Sequence, residues 1–261
     1  TPENLRDTNN AIQRAFEMIK ELDLEERTRQ LGIEFESPDF YIPIAIKESK
    51  LDQSAVSVSG AMGYFQITPQ ALTDVNKWFN TPFTENDLID KPEVNALIGI
   101  LLFHMYRDFY PPRGTRLEFQ TDKDRELFAT FAYNIGITLA KNLWETLEVT
   151  SYDEFESKLS KLLIENSQGR IQKSSDKYQT ADEYNVQIKL PFKINKFKGL
   201  IQRVRGTRTI VLLYKKDKNS EETQMSIPHP IKITTSQLAE ALNFVRVVSA
   251  IRNLQFAEPA D

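Results

Sequence analysis

YIPIAIKESKLDQSAVSVSGAMGYFQITPQA, residues 41–71, decides how the chain is read. It opens as an apolar helix, with Tyr41, Ile44, Ala45 and Ile46 ahead of the dipeptide Glu48-Ser49. It turns into a small polar loop bearing glycine, Ser57-Val58-Ser59-Gly60-Ala61-Met62-Gly63. Tyr64-Phe65-Gln66 closes that loop, and Thr68-Pro69 starts a new helix with a Thr cap and Pro at the first helical position. The apolar helix thus delivers one carboxylate, Glu48, to its C-terminal end, against a loop whose glycines let backbone come close. A carboxyl group among apolar neighbours and near the carbonyls of a helix end is expected to hold its proton more tightly than usual. A carboxylic acid of that kind is what general-acid cleavage of a glycosidic bond needs. Taken singly, the pieces have plainer readings: a Glu at a helix end is ordinarily solvated, and glycines ordinarily serve turns.

The spacing adds what the single residues lack. It runs E-S and then A-x-S-x-x-G-A-x-G-x-x-Q, carried by Glu48, Ser49, Ala55, Ser57, Gly60, Ala61, Gly63 and Gln66. A second motif, A-Y-N-x-G, follows at Ala132-Tyr133-Asn134-Ile135-Gly136. In this order the two motifs resemble the signature of the lytic transglycosylases of glycoside hydrolase family 23, which share a lysozyme-like fold with goose-type lysozyme. The resemblance covers roughly residues 38 to 150. Two positions depart from the family pattern. Tyr64-Phe65 stands where the family usually has Leu-Met, and Ile135 where it usually has Ala. The two aromatics are expected to line the sugar cleft and to alter its shape.

The resemblance implies a one-carboxylate mechanism. Glu48 protonates the glycosidic oxygen between N-acetylmuramic acid and N-acetylglucosamine. It then helps the muramoyl C6 hydroxyl attack its own anomeric carbon, giving a 1,6-anhydro sugar. Ser57, Gly63, Tyr64, Phe65, Gln66, Tyr133 and Asn134 are the implied substrate-binding residues, with the Tyr133 phenol expected to hydrogen-bond the acid. No metal and no cofactor is implied. Peptidoglycan strands are the implied partner, cell-envelope proteins are further candidates, and nucleic acid is not expected. The implied location is the periplasm or cell envelope, with a signal or anchor removed ahead of Thr1. Two alternatives stand beside this reading. One is a goose-type lysozyme that hydrolyses the same bond through a second carboxylate, for which Asp52, Asp74 and Asp87 are candidates. The other is a non-catalytic cell-wall binding scaffold, against which the retained Glu48 counts.

Composition excludes much else. The chain has 261 residues, 40% hydrophobic and 27% charged, the balance of an ordinary globular protein with room for a sizeable core. With no cysteine, disulfides, thiol catalysis and cysteine metal sites are excluded. The two histidines, His104 in an apolar helix and His229 between prolines, are too isolated for zinc and read as core and turn residues. No phosphate-binding loop or dinucleotide fingerprint occurs, and no apolar run approaches the roughly 18 residues of a membrane span.

Along the chain, residues 1–36 carry Ile12, Phe16, Ile19, Leu22 and Leu24 at helical spacing beside Glu17, Glu21, Glu25 and Glu26. A surface helix with an acidic outer face is expected. Ser37-Pro38-Asp39 then caps the helix bearing Glu48. WFNTPFTENDLIDKPEVN reads as a loop; Pro92 opens a helix to about Tyr110, apolar nearly all round and so buried. Further helices are expected from Asp122 to the A-Y-N-x-G motif, over about 137–148 and over about 152–165. From Asn166 the pattern alternates, in YNVQIKLPFKI, RTIVLLYKK and TQMSIPHPIKI, and strands are expected. Residues 187–218 carry Lys189, Lys193, Lys196, Lys198, Arg203, Arg205, Arg208, Lys215, Lys216 and Lys218 against Asp217 alone. This is either a solvated strand face or a footprint for a polyanion. Thr235-Ser236 caps a last helix; the resemblance implies that Phe244, Val245 and Val248, which match a late family helix of pattern Y/F-V-x-x-V, pack back on the helical lobe. The fold class is therefore mainly α: a lysozyme-like lobe with a small β insertion or accessory unit in the C-terminal third. The expected segments are a catalytic domain over 1–165, a basic β-rich unit over 166–234 and the returning helix over 235–261.

Overall fold

A computed structural model describes residues 1–108, 117–167, 172–173, 183–188, 197–204, 208–215 and 231–255. The chain is mainly helical, as its periodicity predicts. The acidic N-terminal segment forms two helices, α1 (Pro2–Glu21) and α2 (Leu24–Gln30). Ala11, Ile12, Ala15 and Ile19 of α1 face inward, while Leu22, counted in the sequence as an inward position, is exposed at the turn between them. A short 3-10 turn, Pro38–Tyr41, leads into α3 (Ile42–Ser49), the helix carrying Glu48. α4 (Pro69–Phe79) starts at Thr68, whose hydroxyl accepts from the Ala71 amide, as Thr-Pro predicts. The stretch read as a plain loop contains a further helix, α5 (Glu85–Asp90), closed by a capping box between Thr84 and Asp87. α6 (Pro92–Arg107) is the long apolar helix, buried continuously from Val94 to Met105. α1, α4 and α5 all pack on it.

α7 (Asp122–Ile135), α8 (Ile137–Leu147) and α9 (Tyr152–Ser167) follow. Thr121 and Asp124 form a capping box at the start of α7, and the second Asp124 oxygen accepts from the Tyr152 amide at 2.7 Å. Phe128, Trp144 and Phe155 stack edge to face and tilted, with centroids 5.2 Å and 5.0 Å apart, and make the core of these three helices. Beyond α9 the described backbone contains β1 (Gln172–Lys173), β2 (Glu183–Ile188), β3 (Phe197–Val204), β4 (Arg208–Lys215) and β5 (Ile231–Thr234), antiparallel neighbours in chain order. α10 (Thr235–Gln255) ends the described chain.

Two compact units emerge, drawn differently from the segments 1–165, 166–234 and 235–261. One comprises Thr1–Arg116 with Phe244–Asp261, the other Leu117–Asn243. In the first, Phe244, Val245 and Val248 are buried, and Arg252 donates to the Phe40 carbonyl with its guanidinium 3.6 Å from the Phe40 ring centroid. Of the basic stretch, Lys189, Lys193, Lys196, Arg205, Lys216 and Lys218 lie outside the described residues, as does His229. Among the described residues no helix is long and apolar enough to cross a membrane.

Candidate active site

Glu48 sits in the last turn of α3, half-buried, after the buried run Ile42–Ala45. Ser49 seals the helix end: its hydroxyl donates to the Ala45 carbonyl at 3.1 Å and accepts from the Asp52 amide at 3.2 Å. The chain then leaves through two successive left-handed residues, Lys50 (φ 57°) and Leu51 (φ 64°). Leucine in that conformation is strained, so the turn needs support from elsewhere. Asn4 of α1 supplies some, donating from Nδ2 to the Leu51 carbonyl at 3.2 Å.

The loop that follows is a pair of short antiparallel bridges, Val56 with Met62 and Met62 with Ile67. Ser57 organises its tip. Its amide donates to the Ala61 carbonyl at 2.8 Å, and its hydroxyl accepts from the Ala61 amide at 2.9 Å. Gly60 turns the tip at φ 81°. Gln66 sits at the other end, with φ 48°, and its Nε2 donates to the carbonyls of Ala55 (3.1 Å) and Gly63 (3.0 Å). Gln66 therefore braces the loop with its nitrogen, which leaves Oε1 as its remaining hydrogen-bonding atom.

Asn95 locks the loop from below. This fully buried residue, in the first turns of α6, accepts from the Phe65 amide at 2.9 Å and donates to the carbonyls of Met62 (2.9 Å) and Leu88 (3.2 Å). Gly63 is needed for two reasons. Its φ is 74°, and a Cβ there would sit 2.2 Å from Asn95 Nδ2. Gln53 adds a second brace, donating to the carbonyls of Leu88 (2.9 Å) and Ile89 (3.0 Å). The sequence reading missed Asn95, Gln53 and Asn4. The available signal was Asn95 itself, a polar residue within the apolar run Val94–Phe103, which must find partners when buried.

Tyr64 and Phe65 occupy places other than those expected. Phe65 is 0% exposed, and its ring lies where a Cβ on Gly99 of α6 would meet it at 2.4 Å. It is a core residue and not a cleft wall. Tyr64 is 6% exposed, and its phenol lies beside the Thr8 hydroxyl of α1. Burial raises the Tyr64 phenol above its ordinary value, opposed by the neighbouring Thr8 hydroxyl. The two aromatics fill space between the loop, α6 and α1. Exposed at the loop tip instead are Val56 and Val58, at 63% and 111%.

The structure thus gathers Glu48, Ser57, Gly63, Tyr64, Phe65 and Gln66 in one unit. Tyr133 and Asn134 lie half-buried in the last turn of α7, in the other unit, where Gly136 (φ 90°) ends α7 and starts α8. Of the other carboxylates considered, Asp52 accepts from the Ser54 amide (2.9 Å) and hydroxyl (2.7 Å), which hold it below the ordinary carboxylate range. Asp87 is held at about 2 by Lys91 and by the Thr84 cap. Asp74 accepts from Gln70 at 3.0 Å. Among the described residues no His, Asp or Glu cluster fits a metal ion.

Residues 34–148 match the model of the transglycosylase SLT domain family. This stretch, a little under half of the chain, is similar to a transglycosylase SLT domain. The matched span includes both motifs and the helices that hold them. The chain is also similar to the crystal structure of an inactive mutant of the lytic transglycosylase Slt from Pseudomonas aeruginosa, at 20% identity and a TM-score of 0.37, over 51% of this chain and 19% of that one. The chain thus matches about a fifth of that protein's length. No curated protein sequence matches it.

Proposed function

We propose that this SLT domain is a peptidoglycan lytic transglycosylase with Glu48 as its single acid and base. The observation that carries the reading is Glu48 itself, half-buried at the end of an apolar helix and set against a loop fixed by Asn95 and Gln66. In the proposed reaction Glu48 gives its proton to the glycosidic oxygen between N-acetylmuramic acid and N-acetylglucosamine as the C1–O bond breaks. The carboxylate then takes the proton of the muramoyl C6 hydroxyl as its oxygen bonds to C1. The product is a 1,6-anhydro sugar, Glu48 is restored, and no water is consumed. Intramolecular attack has a high effective molarity, so no second carboxylate is needed to activate a nucleophile. This agrees with Asp52 and Asp87 being committed to turn and cap contacts.

Ser57 and the free oxygen of Gln66 are assigned to sugar N-acetyl or hydroxyl groups. Tyr133 and Asn134 are assigned to substrate on the A-Y-N-x-G motif, and Gly63 to the shape of the loop. Such an enzyme acts on the cell wall, so the cell envelope is its proposed location.

Digestion of purified peptidoglycan, read by mass spectrometry, tests the proposal. The wild type should release muropeptides one water lighter than hydrolytic products. Glu48→Gln keeps size and polarity but cannot donate and recover a proton, so turnover should fall at least about 10²-fold, with the fold and glycan binding retained. Substantial turnover by the folded variant removes Glu48 from the role; hydrolytic masses point instead to the lysozyme reaction.

A further inference from the structure

The SLT match begins at residue 34, yet α1 ends at Glu21 and still touches the Glu48 loop at both of its ends. At the first end, Asn4 donates to the carbonyl of Leu51, the strained residue three positions after Glu48. At the second, the buried Thr8 side chain sets its hydroxyl beside the Tyr64 phenol. The two grips are coupled within α1, because Thr8 also donates to the Asn4 carbonyl at 2.8 Å. Asn4 is oriented in turn by Thr1, whose hydroxyl donates to Asn4 Oδ1. α1 is anchored independently by Ile12, Ala15 and Ile19 and packs on α6, the helix that carries Asn95. All these residues belong to one compact unit.

We propose that α1 is a positioning element for the proposed acid, with Asn4 and Thr8 as positioning residues that hold loop 50–66 in the shape that presents Glu48. The inference rests on the proposed role of Glu48. Two consecutive left-handed non-glycine residues disfavour the observed turn. Hydrogen bonds from a rigid neighbour offset that tendency. A catalytic group displaced by about 1 Å loses up to about 10²-fold in rate, so a loosened turn acts on turnover before it acts on affinity.

Asn4→Asp removes the donor to Leu51 and keeps the acceptor for Thr1. Thr8→Val removes the hydroxyl at nearly constant volume. On a soluble glycan, each should lower kcat about 2- to 10-fold, the scale of one lost hydrogen bond. KM should stay within about twofold, and Thr8→Ser should restore kcat by returning a hydroxyl. Independently of activity, amide hydrogen exchange in the double variant should accelerate across residues 50–66 while α6 keeps its protection. An unchanged kcat in the double variant overturns the proposal. So does a loss that Thr8→Ser does not reverse, or one accompanied by lost protection throughout, since these report a folding defect. If the wild type cleaves no glycan, the role of Glu48 fails. The hold of α1 on the loop is then decided by exchange alone, and unchanged protection at residues 50–66 overturns it.

Discussion

The loop after Glu48 depends on single backbone and side-chain geometries, and its two glycines differ in why they are needed. Gly60 turns at φ 81° into open space, so an added Cβ meets nothing within 4 Å. Gly63 turns at φ 74° with Asn95 at 2.2 Å from that Cβ. Gly60→Ala should therefore cost only the left-handed conformation, about 1–2 kcal/mol. Gly63→Ala adds overpacking against a buried amide that already makes three hydrogen bonds, and should cost about 2–5 kcal/mol. Denaturant unfolding of the two variants checks this, and equal losses show that Asn95 yields freely. The glycine spacing was legible in the sequence because left-handed turns leave few other choices. The roles of Tyr64 and Phe65 were not. Alternation within a loop carries no sign of which side is buried, and only the notch at Gly99 shows that Phe65 enters the core.

At the scale of elements, α6 was the plainest reading, since a helix apolar on every side has to be central. Its C-terminal end holds something that pattern does not show. His104, 0% exposed, bonds Asp108 through Nδ1 and Tyr41 through Nε2, both at 2.7 Å. The Tyr41 hydroxyl also accepts from the Glu36 amide, and Arg107 joins Asp108 to Glu36 at 2.8 Å and 2.7 Å. With Asp108 ionised, Nδ1 carries the hydrogen and Nε2 accepts from Tyr41, so the neutral ring satisfies every partner. A proton on Nε2 would turn that acceptor into a donor and leave the Tyr41 hydrogen without it. Burial, opposed by Asp108, accordingly holds His104 below its ordinary value. In the unfolded chain the imidazole returns to about 6.5. The unfolded state thus binds the extra proton, and stability from His104 is complete above about pH 6.5 and declines as pH falls below it. The expected slope approaches 1.4 kcal/mol per pH unit for one proton. Urea unfolding between pH 7.5 and 5.5, with the imidazole followed by NMR, measures it. A ring that titrates near 6.5 in the folded protein contradicts the prediction. The missed helix α5 has a similar lesson at its start. The T-x-x-D of its capping box was visible, but its six residues are too short for periodicity to register.

For the whole molecule, periodicity foretold the helical majority, because burial enforces it, while the burial of Phe244, Val245 and Val248 was foretold by the family resemblance. The boundary between compact units falls at Arg116–Leu117, inside the span matched by the SLT family and just after Pro111-Pro112-Arg113-Gly114, a stretch read in the sequence only as a helix stop and a polar loop. Charge along the chain is legible without coordinates. The N-terminal helices carry Glu17, Glu21, Glu25 and Glu26, while residues 187–218 carry ten Lys and Arg against one Asp. Peptidoglycan is anionic through its lactyl-linked peptides, and a basic segment attracts such a polymer over the screening length, roughly 8 Å at physiological ionic strength. On the proposed function, attraction of this kind should strengthen retention on the wall without entering the proposed chemistry at Glu48. Reversing Lys189, Lys193, Lys196 and Lys198 to Glu should therefore weaken co-sedimentation with purified sacculi and flatten its salt dependence. Cleavage of a short soluble glycan, which engages only the site, should barely change. If binding to sacculi and its salt dependence both survive the reversal, the segment is a solvated surface. If glycan cleavage falls in parallel, the segment contributes to the site and not to retention.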